Sequence, residues 1–159
     1  MIFVTVSGWP FERLVEEMDN IAKRTKKKVI MQIGNTKYKP KYAEYFSFTS
    51  EKKLLECNKN ADVIVSHAGA GCIATARQFG KPVVIVPRYK KFGEHVDDHQ
   101  LELAHAMEKE GKAIIVYDIK DLEKSIEIAK NAKRPETSNQ LVNFIKDYMK
   151  NMKRGKVCL

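Results

Sequence analysis

The segment Ser66-His67-Ala68-Gly69-Ala70-Gly71 directly follows the apolar run Val63-Ile64-Val65. A glycine-rich turn between a buried strand and a helix lets a ligand come close to the backbone. The helix that starts there offers free N–H groups and the positive end of its dipole. That combination suits a pyrophosphate. The spacing is neither a Walker loop, since no Gly-Lys-Ser/Thr follows, nor the dinucleotide GxGxxG. The competing reading is a turn whose glycines serve only strand–helix packing. His67 also has two readings: a base or hydrogen-bond donor facing a ligand, or a histidine that orients its own loop. Cys72 reads as a small packing residue, because no oriented general base accompanies it.

Gly93-Glu94-His95-Val96-Asp97-Asp98-His99-Gln100 is the second dense stretch. Acids and histidines at this density raise a metal site, an aspartate cap for the following helix, or a loop facing sugar and phosphate. The Gln100 carboxamide both donates and accepts, as sugar hydroxyls require. No metal site is assigned. Arg88, Lys90 and Lys91 flank this loop and offer positive charge for phosphates. His105 falls in mid-helix and reads as structural. No convincing Ser-His-Asp or Cys-His-Asp order is present.

These residues need strands and helices to hold them. Apolar patterning predicts strands at 2–6, 29–33, 45–48, 63–65, 83–86 and 113–117. Helices are expected from Pro10 through Ala22, at 51–58, from 72 to 79 with Gly80 just beyond its end, up to about Gly111, and at 121–132. After Pro135, Leu141, Ile145, Tyr148 and Met152 make an apolar stripe on a last helix, 136–152. That helix either meets a partner or packs on this domain's own core. Strands alternating with helices of this length imply βαβ units. The expected fold is α/β: a Rossmann-like parallel sheet with helices on both faces. In such sheets ligands bind beyond the carboxyl ends of the strands. Ser7-Gly8, Gly34-Asn35, the Ser66–Gly71 loop and Pro87-Arg88 should therefore share one edge.

The 159 residues fit a single domain, 1–159, and are too few for two ordinary ones. A hydrophobic fraction of 43% excludes a disordered chain. The longest purely apolar run, Ala113 to Tyr117, is about a quarter of what a membrane span needs. The N-terminal run reads as a strand rather than a signal peptide, since no basic segment precedes it. Three cysteines without CxxC spacing suit a reducing, cytoplasmic compartment. The net charge of +9 admits nucleic acid, an anionic membrane surface or a phosphate-bearing ligand. The basic runs 23–28 and 150–156 carry no interleaved aromatic platform. A solvated face or attraction to anionic lipid is therefore preferred, and no nucleic-acid partner is expected.

Taken in order, Ser66 to Gly71, Gly80-Lys81-Pro82-Val83-Val84-Ile85-Val86-Pro87-Arg88, and Gly93-Glu94-His95 with Asp97-Asp98-His99-Gln100 resemble the C-terminal domain of family 28 glycosyltransferases. Phe3-Val4-Thr5-Val6, Pro10-Phe11 and Leu14 also fit, and the resemblance covers about residues 1–130. Within that family the chain looks like the short catalytic subunits of two-part transferases. These are the polysaccharide-synthesis PssE type and the cytosolic subunit of the dolichol-pathway N-acetylglucosaminyltransferase.

The resemblance implies the donor-binding half of a GT-B fold. It implies an inverting hexosyl- or N-acetylhexosaminyltransferase with no cofactor, using a nucleotide-diphosphate sugar, usually UDP-linked. It also implies a membrane-anchored partner subunit that supplies a lipid-linked acceptor and the catalytic base, with this chain held at the cytoplasmic face of the membrane through that partner. Ser66, Gly69, Ala70 and Gly71 would cradle the diphosphate, with His67 beside it and Arg88 assisting its departure. His99 and Gln100 would face the donor sugar, His95, Asp98 and Thr75 would also belong to the substrate-binding set, and Ser7 and Gly8 would form the loop at the cleft. Many relatives have Gly-Thr where Ser7-Gly8-Trp9 stands, and a ribose-binding Glu where Thr75 stands; this leaves nucleotide preference open and favours the polysaccharide branch. Two other readings stand beside this one: a nucleotide-sugar-binding regulatory module without turnover, and a charge-driven nucleic-acid-associated protein.

Overall fold

The structure is a computed structural model. It describes residues 1–109, 111, 113–132 and the isolated positions 143, 147 and 150. Six strands, β1 (Ile2–Thr5), β2 (Val29–Gln32), β3 (Glu44–Phe46), β4 (Val63–Ser66), β5 (Val83–Ile85) and β6 (Ile114–Ile115), form one sheet in the order β3-β2-β1-β4-β5-β6. Every pairing is parallel, with Phe3 opposite both Ile30 and Ile64. The helices are α1 (Glu12–Thr25), α2 (Glu51–Asn60), α3 (Ala70–Gln78), α4 (His99–Lys109) and α5 (Leu122–Asn131). The expected α/β fold is present.

A parallel sheet covered on both faces needs strands that are apolar at every position. Val4, Met31, Val65 and Val84 pack with Leu14, Val15 and Met18 of α1 and Ile126 of α5. Their neighbours Phe3, Ile64 and Ile85 turn to the other face, against Ile73 of α3 and Leu103 and Met107 of α4. The strand period of two thus feeds two cores at once.

Several boundaries differ from the expectations. α1 starts two residues after Pro10, because the Phe11 N–H is taken by Thr36 Oγ1 at 3.0 Å. α3 starts two residues earlier than expected, with Gly69 as its N-cap, and Gly80 beyond its end has φ +61° as predicted. β6 is only two residues long; the chain turns at Tyr117 into a short 3-10 segment, Ile119–Asp121. β3 begins and ends earlier than expected and lies at the sheet edge. No helix precedes it. Instead the loop between β2 and β3 is pinned by two carboxylates of α1. Glu12 accepts from the Lys37 and Tyr38 N–H groups. Buried Asp19 accepts from Lys41, Tyr42 and Ala43 N–H and from the Tyr38 hydroxyl, at 2.8–3.0 Å. Burial pushes the Asp19 pKa up, but these four donors outweigh it and hold the carboxyl below its ordinary value.

The stripe of Leu141, Ile145, Tyr148 and Met152 lies outside the described residues. Among the described residues no helix is long and apolar enough to cross a membrane.

Candidate functional site

In a parallel sheet all strand ends of one kind fall on one edge, so the loops after β1, β2, β4 and β5 converge as expected. Gln32, the last residue of β2, ties them together. Its Oε1 accepts from Thr5 Oγ1 at 2.8 Å and from Ser7 N at 2.9 Å. Its Nε2 donates to Ser7 O at 2.9 Å and to Ser47 O at 3.0 Å. Ser7 is held at φ +59°, a conformation that costs a non-glycine residue energy and persists only when its surroundings fix it. Gly34, at φ +53°, passes so close that a Cβ there would lie 2.0 Å from Ser7 O. Around this knot Thr5, Ser7, Gly8, Gln32, Phe48, Thr49, Leu54 and Cys72 line an open cavity of about 210 Å³.

The glycine loop ends β4 and starts α3. The amides of Ala70, Gly71 and Cys72, in the first turn, have no intrahelical acceptor. Side chains at Gly71 or Gly8 would meet nothing within 4 Å, so ligand approach is open at both. Gly69 is glycine for another reason: a Cβ would sit 2.2 Å from His67 Nε2. His67 is only 7% exposed, and its Nδ1 has no hydrogen-bond partner. Burial, then the charge of Arg88, pushes its pKa down from 6.5 to about 3. It is a neutral imidazole at neutral pH. The Cys72 thiol is pushed up by burial, which keeps it protonated and unreactive. Thr75 turns its hydroxyl back along α3 to donate to Gly71 O at 3.0 Å.

Arg88 points into the protein and is 2% exposed. Its Nη2 donates to Val6 O at 2.7 Å and Trp9 O at 2.9 Å, and its guanidinium lies 4.8 Å above the Phe11 ring. Burial pulls its pKa down to about 10, so it stays charged. In this arrangement Arg88 clamps the loop after β1 from behind. The Gln100 side-chain Oε1 accepts the Arg88 backbone N–H at 3.1 Å, which locks the start of α4 to the end of β5.

In the loop before α4, Glu94 holds Arg13 at 2.8 and 2.9 Å and the Tyr89 N–H at 3.0 Å. Asp98 accepts the Lys90 N–H. Asp97 accepts the His99 N–H at 3.1 Å and touches His95 Nδ1 at 3.0 Å. The His95 ring lies 5.7 Å from that of Trp9, in the β1 loop. His99 is exposed beside Asp97 and Glu102. Among the described residues no group of three His, Cys, Asp or Glu side chains is arranged to hold a metal ion.

The edge therefore brings together Ser7, Gly8, Ser66, His67, Gly69, Ala70 and Gly71. It adds four residues that the sequence reading passed over: Gln32, Phe48, Thr49 and Leu54. Gln32 had a signal, being the one polar residue closing an otherwise apolar buried strand. Phe48 falls within the strand expected at 45–48 but lies past the end of β3.

This all-parallel domain, with its polar loops gathered at the carboxyl edge, has the architecture of the C-terminal halves of GT-B glycosyltransferases. The glycosyltransferase of kitacinnamycin matches it with a TM-score of 0.61 at 16% identity, over 98% of this chain and 40% of that one. MurG of Acinetobacter baumannii matches with a TM-score of 0.57 at 18% identity, over 94% and 49%. Residues 1–152 match the glycosyltransferase family 28 C-terminal domain, and the chain belongs to that family.

Human UDP-N-acetylglucosamine transferase subunit ALG13 is 33% identical over 121 residues, covering 69% of this chain and 10% of that protein. ALG13 of Candida albicans is 32% identical over 102 residues, covering 64% and 33%. The chain thus spans a tenth to a third of the length of these relatives. A solution structure of ALG13 matches with a TM-score of 0.57 at 18% identity, over 89% of this chain and 92% of that one.

Proposed function

We propose that this chain is the donor-binding, catalytic subunit of a glycosyltransferase that takes a UDP-sugar, with UDP-N-acetylglucosamine the first candidate from its likeness to ALG13. The reading extends to inverting transfer onto a lipid-linked saccharide. A membrane-anchored partner supplies the acceptor side and holds this chain at the cytoplasmic face of the membrane. One observation carries the donor-site assignment: the free amides of α3 open beside a cavity large enough for a nucleoside fragment, walled by Phe48, Thr49 and Leu54. The need for a second half is supported by coverage, since the chain matches only 40% and 49% of two glycosyltransferase structures.

On this reading the diphosphate lies over Ala70, Gly71 and Cys72. As the bond from sugar C1 to the diphosphate oxygen breaks, the charge growing on that oxygen meets fixed N–H dipoles. These need no reorganisation during the reaction. His67 contributes hydrogen bonding without charge. Arg88 acts as a positioning residue, holding Ser7, Gly8 and Trp9 at the rim.

The test is calorimetric titration of the full chain with UDP and UDP-N-acetylglucosamine, paired with thermal unfolding. Saturation at a hundredfold excess over Kd should add about 2.7 kcal/mol of stability. No heat and no shift with any UDP-sugar would overturn the donor-site assignment. Binding without transfer in the presence of partner membranes would leave a binding module.

A further inference from the structure

The carboxyl edge of the sheet carries a second cavity, of about 340 Å³, that the donor site does not use. Its walls come from two distant stretches: Pro10, Glu12 and Arg13 where the chain enters α1, and Phe92, Gly93 and Glu94 in the loop before α4. Arg13 fastens one wall to the other. Its Nε and Nη2 donate to the two Glu94 oxygens at 2.8 and 2.9 Å, and Nη2 also reaches Pro87 O at 3.0 Å. Just beyond the lining, the rings of Trp9 and His95 meet at 5.7 Å and join the walls a second time. Gly93 stands at φ +69°, and a Cβ there would meet nothing within 4 Å, so the cavity is open on that side.

Trp9 follows Gly8, which lines the donor cavity, and precedes Pro10, which lines this one. The loop after β1 is therefore the ridge between the two cavities. Its backbone is fixed: Trp9 O accepts from buried Arg88 Nη2 at 2.9 Å, and Gly8 O accepts from Asn35 Nδ2 at 2.8 Å.

The lining decides the ligand class. Arg13 and Glu94 neutralise one another, which leaves Glu12 as the net charge and disfavours an anion. Lys91, with its Nζ 4.9 Å from the Phe92 ring centroid, stands outside the lining. A hydrocarbon chain would cover these polar groups without pairing them. A neutral saccharide matches both kinds of wall. Each Glu12 oxygen accepts one backbone N–H, from Lys37 or Tyr38, and keeps a lone pair for a hydroxyl. Arg13 Nη1 has no acceptor among the described residues and can donate. Pro10 and the half-exposed ring of Phe92 offer apolar surface to the C–H face of a sugar ring. The volume lies within the range of small-ligand pockets, about 300–1,000 Å³.

We propose that this cavity holds the acceptor saccharide, so that the acceptor site is shared between this chain and its partner. The proposal rests on the glycosyltransferase reading above. Donor and acceptor then lie on either side of the Ser7–Trp9 ridge, which orients one against the other.

Trp9 is the only tryptophan of the chain, so intrinsic tryptophan fluorescence reads the ridge alone. The full chain, saturated with UDP, is titrated with the methyl glycosides of glucose, galactose, mannose and N-acetylglucosamine. At least one should give a saturable change in fluorescence. Phe92→Ser, at an exposed position, should weaken that binding about tenfold while UDP affinity stays within about threefold. With membranes of the source cells, which carry partner and acceptor, the same variant should slow transfer from UDP-N-acetylglucosamine to extractable lipid about tenfold, with KM for the donor unchanged. A chain that binds UDP but responds to none of the glycosides would overturn the proposal and leave the donor site standing. Wild-type glycoside binding in Phe92→Ser would do the same, as would displacement of UDP-N-acetylglucosamine by the glycoside, which would put the sugar in the donor cavity. Wild-type chain that binds no UDP would instead refute the reading beneath it.

Discussion

The close approach of Gly69 to His67 makes a quantitative test of how the glycine loop is held. A methyl group at position 69 would sit 2.2 Å from His67 Nε2, 2.8 Å from Cε1 and 2.9 Å from Cδ2. All three distances are shorter than real carbon contacts, so the imidazole or the loop must move. His67 is only 7% exposed, just past the end of β4, and the ring cannot swing out freely. Overpacking of this kind costs about 1–3 kcal/mol. Exchanging Gly for Ala at an N-cap adds a further ~0.5–1 kcal/mol. For a chain of this length Gly69→Ala should therefore lower Tm by about 3–10 °C.

If the clash is with the ring, removing the ring removes the cost. His67→Ala has its own penalty from the space it leaves, but Gly69→Ala added on top should then cost only the cap difference. The coupling energy from the double-mutant cycle should exceed about 1 kcal/mol, measured by urea unfolding of all four proteins at pH 7.5. Equal cost of Gly69→Ala in both backgrounds would show that the glycine answers to the backbone or to a ligand, and the geometric argument would fail.

Three other perturbations follow from the same contacts. Arg88→Met removes the charged donor to Val6 O and Trp9 O while keeping a long apolar stem. It should cost about 3 kcal/mol in urea unfolding and weaken UDP binding in calorimetry through the freed β1 loop. Gln32→Leu strips four hydrogen bonds from the knot around Ser7. UDP affinity should fall about tenfold or more in titration calorimetry, with far-UV circular dichroism unchanged.

Acid should destabilise the protein in two stages. His67 has its folded pKa pushed below its ordinary 6.5 to about 3, so its contribution is complete above 6.5 and lost as pH falls from there. Asp19, held below its ordinary 3.8, contributes above that value and loses its contribution as pH falls through its lowered pKa. Urea midpoints should therefore decline from about pH 6.5 downward. His67→Gln should flatten the upper stage and Asp19→Asn the lower one.

The sheet and its two helical layers were readable from the sequence because burial on both faces leaves strands that are apolar throughout. Val63-Ile64-Val65 and Val83-Val84-Ile85 could hardly be anything else between turn residues. Local chemistry located the glycine loop as well. Contacts between distant positions could not be read in the same way. In the sequence Arg88 flanks a polar loop and offers charge for phosphates, and only the fold shows its guanidinium reaching back 82 positions to Val6 O. Asp19 sits on α1 with the spacing of a core residue, and nothing nearby announces the loop at 41–43 that it holds. β6 shrank because its ladder stops with Val116 N–H on Ile85 O, a limit set by the length of β5 rather than by its own apolar run.

Charge at the proposed donor site comes down to a balance that can be tested. The chain carries +9, but the positive group behind the glycine loop is Arg88, which is buried and bonded to backbone carbonyls. His67, the nearest imidazole, is held neutral. A diphosphate over Ala70 and Gly71 would thus meet dipoles first and a charge only at second remove. UDP-N-acetylglucosamine is a suitable probe, because both its phosphates are diesters and neither titrates near neutrality. Its affinity should vary with pH between about 5 and 8 by the same factor in wild type and in His67→Gln, since His67 stays neutral throughout. If the wild type instead tightens about tenfold toward acid and His67→Gln does not, His67 gains a proton on binding. The donor site would then use a cation where the geometry assigns a neutral hydrogen-bonding group.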